Sequence, residues 1–179
     1  MTSNSEIQAL ANLDFLPYLN ENGEINPQLE KKIGVYGIFN SEKILQLVAY
    51  SRDIYTSLKQ HLVRQPQSCY WVKLQTIDRP SRRVLAEIQQ AWIEENGTVP
   101  PGNSLEQERW TEPIDATFAM TEAEKQEYNQ GDEIAQTKLL KNVSRRVEAE
   151  IKQELSLRGV KMDIRFNPKL KEQGRLDLK

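Results

Sequence analysis

Apolar positions along this chain change their spacing several times, and each change marks an element. From Ile33 to Phe39 the run is unbroken and rich in β-branched and aromatic side chains, residues 40–43 (Asn-Ser-Glu-Lys) carry turn chemistry, and residues 44–50 form a second apolar run of strand length. This predicts a β-hairpin. Ile54, Leu58 and then His61 or Leu62 recur at helical spacing, and Ser51 or Asp53 stands where a side chain accepts from the first free amides of a helix. The hairpin therefore leads into an amphipathic helix. A third strand is expected over residues 69–76 and a second helix over 81–96, opened by Ser81 as N-cap.

On the N-terminal side, residues 1–8 are polar and expected to fray. Leu10, Leu13, Phe15, Leu16, Tyr18 and Leu19 form an apolar cluster broken by Pro17, followed by the turn signals Asn22-Gly23 and Asn26-Pro27. The segment reads as a brace that covers a sheet edge. On the C-terminal side, Trp110 is expected to anchor an arm back on the domain, because an indole in an acidic linker would otherwise stay exposed. Thr121 and Glu124 fit a capping box. Residues 138–157 carry Leu139, Leu140, Val143, Val147, Ile151 and Leu155 at three- and four-residue spacing, a helix with a narrow apolar stripe that packs on the domain or docks to a partner, with Gly159 as its C-cap. Residues 161–166 alternate polar and apolar like a half-buried strand, and 167–179 read as a polar, basic tail disordered at its end. The divisions drawn from these signals are 1–31 as lead-in, 32–115 as the main domain and 116–179 as a C-terminal extension.

Charge sharpens the picture beyond residue 103. The whole 179-residue chain carries a net −2, which argues against a general nucleic-acid binder. Residues 104–135 hold nine acidic and two basic side chains, whereas 136–179 hold six acidic and twelve basic. No apolar run is long enough to span a bilayer and no basic-then-apolar leader pattern opens the chain, so the expectation is a non-secreted, cytoplasmic protein. The single Cys69 rules out an internal disulfide and reads as a small core residue or, alternatively, a reactive thiol. His61, the one histidine, reads as an imidazole favoured by a helix C-terminus. Arg79, Arg82 and Arg83 flank Pro80 at the start of the second helix, where they would hold a phosphate or an acidic partner, or pair with neighbours in solvent.

Gly34-Val35-Tyr36, then Leu47-Val48-Ala49 ten residues on, then Tyr50, Ser51 and Asp53, and finally Pro100-Pro101-Gly102-Asn103 resemble the two-part signature and closing segment of the GIY-YIG nuclease domain over about residues 32–103. The resemblance implies an α+β fold, a small mostly antiparallel sheet flanked by helices, here with a C-terminal helix-strand extension. It also implies phosphodiester hydrolysis with one divalent metal, a tyrosine, an arginine facing the phosphate and a metal-binding glutamate. Tyr36 and Asn103 match. Leu47 and Ala49 stand where that family has tyrosine and glycine, Ser57 where it has the arginine, and Gln89 where it has the glutamate. A serine hydroxyl cannot supply the guanidinium's fixed positive fork, and a neutral glutamine is a poor Mg²⁺ ligand.

The leading expectation is accordingly a pseudo-enzyme, a nuclease-like domain acting as an interaction module for a protein partner or a nucleic-acid backbone. The alternative is an active structure-specific DNA endonuclease using Tyr36, Arg52, Glu87 and Asn103, with Mg²⁺ or Mn²⁺ on Glu87, and with Arg79, Arg82, Arg83 and His61 in binding. A third is a protein-only assembly factor docking through the C-terminal helix.

Overall fold

The computed structural model describes residues 6–179 and divides into two compact units, Met1–Thr111 and Glu112–Lys179. The architecture is α+β. Unit 1 is built on a four-stranded antiparallel sheet of order β1-β4-β2-β3, from β1 (Leu16–Pro17), β2 (Ile33–Phe39), β3 (Leu45–Ser51) and β4 (Trp71–Ile77). β2 is unbroken in its apolarity because it is central and buried on both faces. Gly34 lies where β2 approaches β4 so closely that a Cβ would come 2.3 Å from the Gln75 carbonyl oxygen. The hairpin turn places Lys43 at φ 62°.

Helix α1 (Ile54–Arg64) starts on Asp53, whose carboxylate accepts from the Thr56 amide, and buries Ile54, Leu58, His61, Leu62 and Val63. Helix α2 (Arg82–Asn96) starts on Ser81, ends on a left-handed Gly97 and buries Leu85, Ile88 and Trp92. These α2 residues form one core with Leu10, Val35, Phe39, Leu45, Val48 and Ile77. The lead-in behaves as an edge cover: Leu16 and Pro17 pair with Val72 and Trp71. Of the segment expected to fray, residues 1–5 lie outside the described residues. Gln8 is tied down at both backbone groups: its amide donates to Gln75 Oε1 at 3.0 Å and its carbonyl accepts from Trp92 Nε1 at 2.9 Å. A short helix α3 (Gln107–Thr111) seats Trp110 at 0% exposure.

Unit 2 contains β5 (Ile114–Asp115), α4 (Glu122–Gln130), α5 (Glu133–Leu157), α6 (Pro168–Lys171) and β6 (Arg175–Leu176). The capping box forms: the Thr121 hydroxyl accepts from the Glu124 amide while the Glu124 carboxylate accepts from the Thr121 amide. α5 is longer than its apolar stripe because Asp132 caps it six residues before the periodicity begins, its carboxylate accepting from the Ala135 amide. Two expectations are corrected here. Residues 161–166 form no strand: Val160, Met162 and Ile164 are half-buried between exposed neighbours, so the alternation is real, yet only Phe166 makes a bridge, to Leu178. The tail is ordered instead. Asn167 caps α6, β6 pairs with β5, and Leu176 is fully buried.

Candidate functional site

The polar groups of unit 1 meet in a chain behind the sheet. Ser51 closes β3 and Ser57 lies on the first turn and a half of α1, and the Ser57 hydroxyl donates to Ser51 Oγ at 2.7 Å. Ser57 also lies within hydrogen-bond reach of the Tyr36 phenol. Tyr36 contacts His61 Nε2 at 2.9 Å, and His61 Nδ1 is 3.1 Å from the Trp110 carbonyl. A carbonyl only accepts, so Nδ1 carries the proton and donates; Nε2 then accepts from the Tyr36 hydroxyl. Arg64 Nη1 donates to the same carbonyl at 2.9 Å.

Burial keeps this chain neutral. It raises the Tyr36 phenol far above the ordinary tyrosine range, with the nearby Cys69 adding slightly and Ser57 and Arg64 opposing. It lowers His61 to about 4, helped by Arg64 and opposed by the bond to the Trp110 carbonyl. The expected helix-terminus imidazole is therefore corrected: a macrodipole would favour the charged form, but at 6% exposure desolvation dominates. At neutral pH neither ring changes its charge, and the arrangement orients groups rather than exchanging protons with solvent.

The other candidate residues occupy separate places. Arg52 and Arg82 meet across a surface cavity of about 300 Å³ that Tyr50, Ser51 and Ser81 also line, so Ser51 touches both this cavity and the buried chain. Arg79 is exposed just before α2. Glu87 points to solvent and pairs with Arg83 at 3.5 Å, one turn back on α2. Asn103 is fixed on the outer edge of the sheet: the Val48 amide donates to its Oδ1 at 2.8 Å and its Nδ2 donates to the Val48 carbonyl at 2.7 Å. Gln89 Nε2 donates to that carbonyl as well, at 2.9 Å. Asn103 thus completes β3 as a neighbouring strand would. Gly102 permits the approach, since a Cβ there would come 2.7 Å from the Gln46 carbonyl oxygen.

What sequence reasoning missed is the link between His61 and Trp110, forty-nine residues apart, and the burial of Lys73. Lys73 Nζ donates to the Leu10 carbonyl at 3.0 Å and lies 4.1 Å from the Phe15 ring centroid. Among the described residues no group of three or more His, Cys, Asp or Glu side chains is arranged to hold a metal ion, and no helix is long and apolar enough to cross a membrane.

No family model matches the chain. It is similar to the bifunctional monothiol glutaredoxin-S16, chloroplastic, of Arabidopsis thaliana, with 32% identity over 103 residues, 55% of this chain and 33% of the relative. The chain thus spans about a third of the length of the curated relative it matches. This finding corrects the GIY-YIG resemblance and everything built on it: the nuclease and DNA-binding assignments, the nuclease-like pseudo-enzyme, and the active endonuclease. Gln89 is engaged by the Val48 carbonyl and Glu87 by Arg83. The likeness that stands in place of that resemblance is to a third of the length of this bifunctional protein.

Proposed function

We propose that this chain serves thiol redox chemistry as the companion of a monothiol glutaredoxin activity, with Cys69 as the one thiol it can contribute. The likeness to a bifunctional monothiol glutaredoxin carries the reading, and the presence of one cysteine in the chain agrees with it. Cys69 is fully buried just before β4, within electrostatic reach of the Tyr36 phenol. A thiol so enclosed is out of reach of a disulfide in the closed state, so reaction requires the turn at residues 65–70 to open. The chain is therefore a slow thiol partner rather than a transferase on its own account.

A protein partner fits this reading better than nucleic acid. On α5, Leu139, Val143 and Leu155 are buried within unit 2, so docking through that helix would fall on its exposed ends, Ile134 and Leu157, rather than on the stripe. A lone thiol also fits the reducing, cytoplasmic compartment expected from the sequence.

The test is exposure of the folded chain to oxidised glutathione, followed by intact mass. The Cys69 thiolate attacks one sulfur, a mixed disulfide forms and one glutathione thiolate leaves. We expect one adduct, formed slowly and absent in Cys69→Ser, with no turnover of a small disulfide substrate. If the folded chain stays unmodified while the urea-unfolded chain is fully modified, the thiol has no part in its function.

A further inference from the structure

Unit 2 holds a second concavity, of about 190 Å³, between α5 and α6, and its walls are cationic. Lys141 and Arg145 project from successive turns of α5, Lys169 and Lys171 come from α6, and Glu172 is the one carboxylate in the lining. Two of the four cations are compensated: Lys141 pairs with Glu172 at 3.0 Å, and Lys171 pairs with Glu148 at 2.5 Å. Those pairs, with the Ser144 hydroxyl donating to the Lys171 carbonyl at 3.3 Å, hold α6 against α5. Arg145 and Lys169 are exposed and make no ion pair among the described residues.

Like charges one helical turn apart, as at Lys141 and Arg145, repel, and with Lys141 and Lys171 compensated the concavity keeps an excess of two cations, Arg145 and Lys169. A phosphate-type anion removes it. At about 190 Å³ the cavity has room for a phosphoryl group. An arginine fork matches two phosphoryl oxygens at once, and a lysine supplies a mobile point charge beside it.

We propose that this cavity is a binding site for a small phosphate-bearing anion, a phosphomonoester or a diphosphate, gripped by Arg145 and Lys169 while Lys141 and Lys171 stay on their carboxylates and keep α6 in place. The site lies within unit 2 and does not rest on the thiol reading.

Calorimetric titration of the full chain with pyrophosphate, at constant ionic strength, tests it. One saturable site is expected, weakened roughly tenfold or more in each of Arg145→Glu and Lys169→Glu, because each removes a charge-assisted contact. Both side chains are exposed, so both variants fold, and circular dichroism checks this. Lys161→Glu, an exposed cation of the same unit outside the cavity, should bind as the wild type does. Equal weakening in Lys161→Glu, or no saturation, overturns the site. A parallel arm uses phosphatidylcholine vesicles with and without phosphatidic acid. Capture only by the phosphatidic acid vesicles, with no pyrophosphate binding, overturns the small-ligand proposal in favour of a lipid headgroup.

Discussion

In unit 1 the polar groups running from Ser51 through Tyr36 and His61 to the Trp110 carbonyl are neutral and sealed behind the sheet. In unit 2 the polar groups that join helices are charged: Arg146 to Glu124 and Lys141 to Glu172 within reach of solvent, and Lys171 to Glu148 largely enclosed. The difference follows from what each unit can bury. Unit 1 has a four-stranded sheet with helices packed against it and encloses Trp92 and Trp110 completely, so a charge inside is tolerated only where, as at Lys73, a carbonyl and an aromatic face receive it. Unit 2 has a long helix, two short strands and few fully buried side chains, and relies on caps and ion pairs along its rim. Unit 1 should therefore respond strongly to truncation and weakly to salt, and unit 2 more strongly to salt.

The largest break should come from Trp110→Ala. The indole is fully enclosed, so truncation should destabilise unit 1 by about 3–5 kcal/mol. Urea unfolding followed by the fluorescence of the remaining tryptophans measures it; a loss below about 1 kcal/mol would mean that the site collapses without a cavity.

Acid comes next. His61 titrates near 4 in the folded unit against 6.5 when unfolded, so the unfolded state binds the proton first. Its full contribution is present above pH 6.5 and is lost as pH falls from 6.5 to about 4, by a sum on the order of 3 kcal/mol. The midpoint of unit 1 unfolding should fall over that window in wild type and not in His61→Gln. An unchanged midpoint between pH 7 and 4.5 in wild type would show that the imidazole is accessible to protons in the folded state.

How far these features were legible in the sequence follows the same division. β2, β3, α1 and α2 could be read because their periods are uninterrupted and Asp53, Ser81 and Gly97 punctuate them. The extent of α5 was half legible, since Asp132 caps it where no apolar stripe has yet begun. Residues 161–166 misled because alternation reports one-sided burial and says nothing about a pairing strand. The tail misled because composition outweighed Asn167-Pro168, a cap followed by a residue suited to the first helical turn. Of the candidate site, Tyr36 and His61 were picked out singly. Their pairing with each other and with Trp110 depends on contacts far apart in sequence, which no local pattern encodes.

A smaller effect separates the hydrogen bonds of unit 1 from its packing. Tyr36→Phe keeps the ring and removes the hydroxyl that His61 Nε2 accepts from, and the imidazole cannot turn to its other tautomer without losing the Trp110 carbonyl. A buried acceptor left without a donor should cost about 1–3 kcal/mol. Equal stability of Tyr36→Phe and wild type would show that a water takes the hydroxyl's place.

The smallest effect should be Arg146→Ala, and its value lies in how it varies with conditions. Arg146 reaches from α5 to the Glu124 carboxylate at 2.5 Å and to the Ala119 carbonyl at 2.7 Å, and its pull holds that carboxyl at about 2. Both partners are open to water, at 40% and 20% side-chain exposure, so the low carboxyl value overstates the stabilisation and the pair should contribute no more than about 1 kcal/mol. A contribution tied to a depressed carboxyl is present above the unfolded glutamate range and is lost as pH falls through it toward 2. It should also shrink as salt rises from about 0.01 to 1 M, because the screening length drops from roughly 30 to 3 Å. Thermal unfolding of unit 2 in wild type and Arg146→Ala should therefore converge at high salt, while the acid response of unit 1 stays unchanged. Persistence of the full difference at 1 M salt would assign the effect to the Ala119 carbonyl bond instead, and would bring unit 2 closer to the charge-independent design of unit 1.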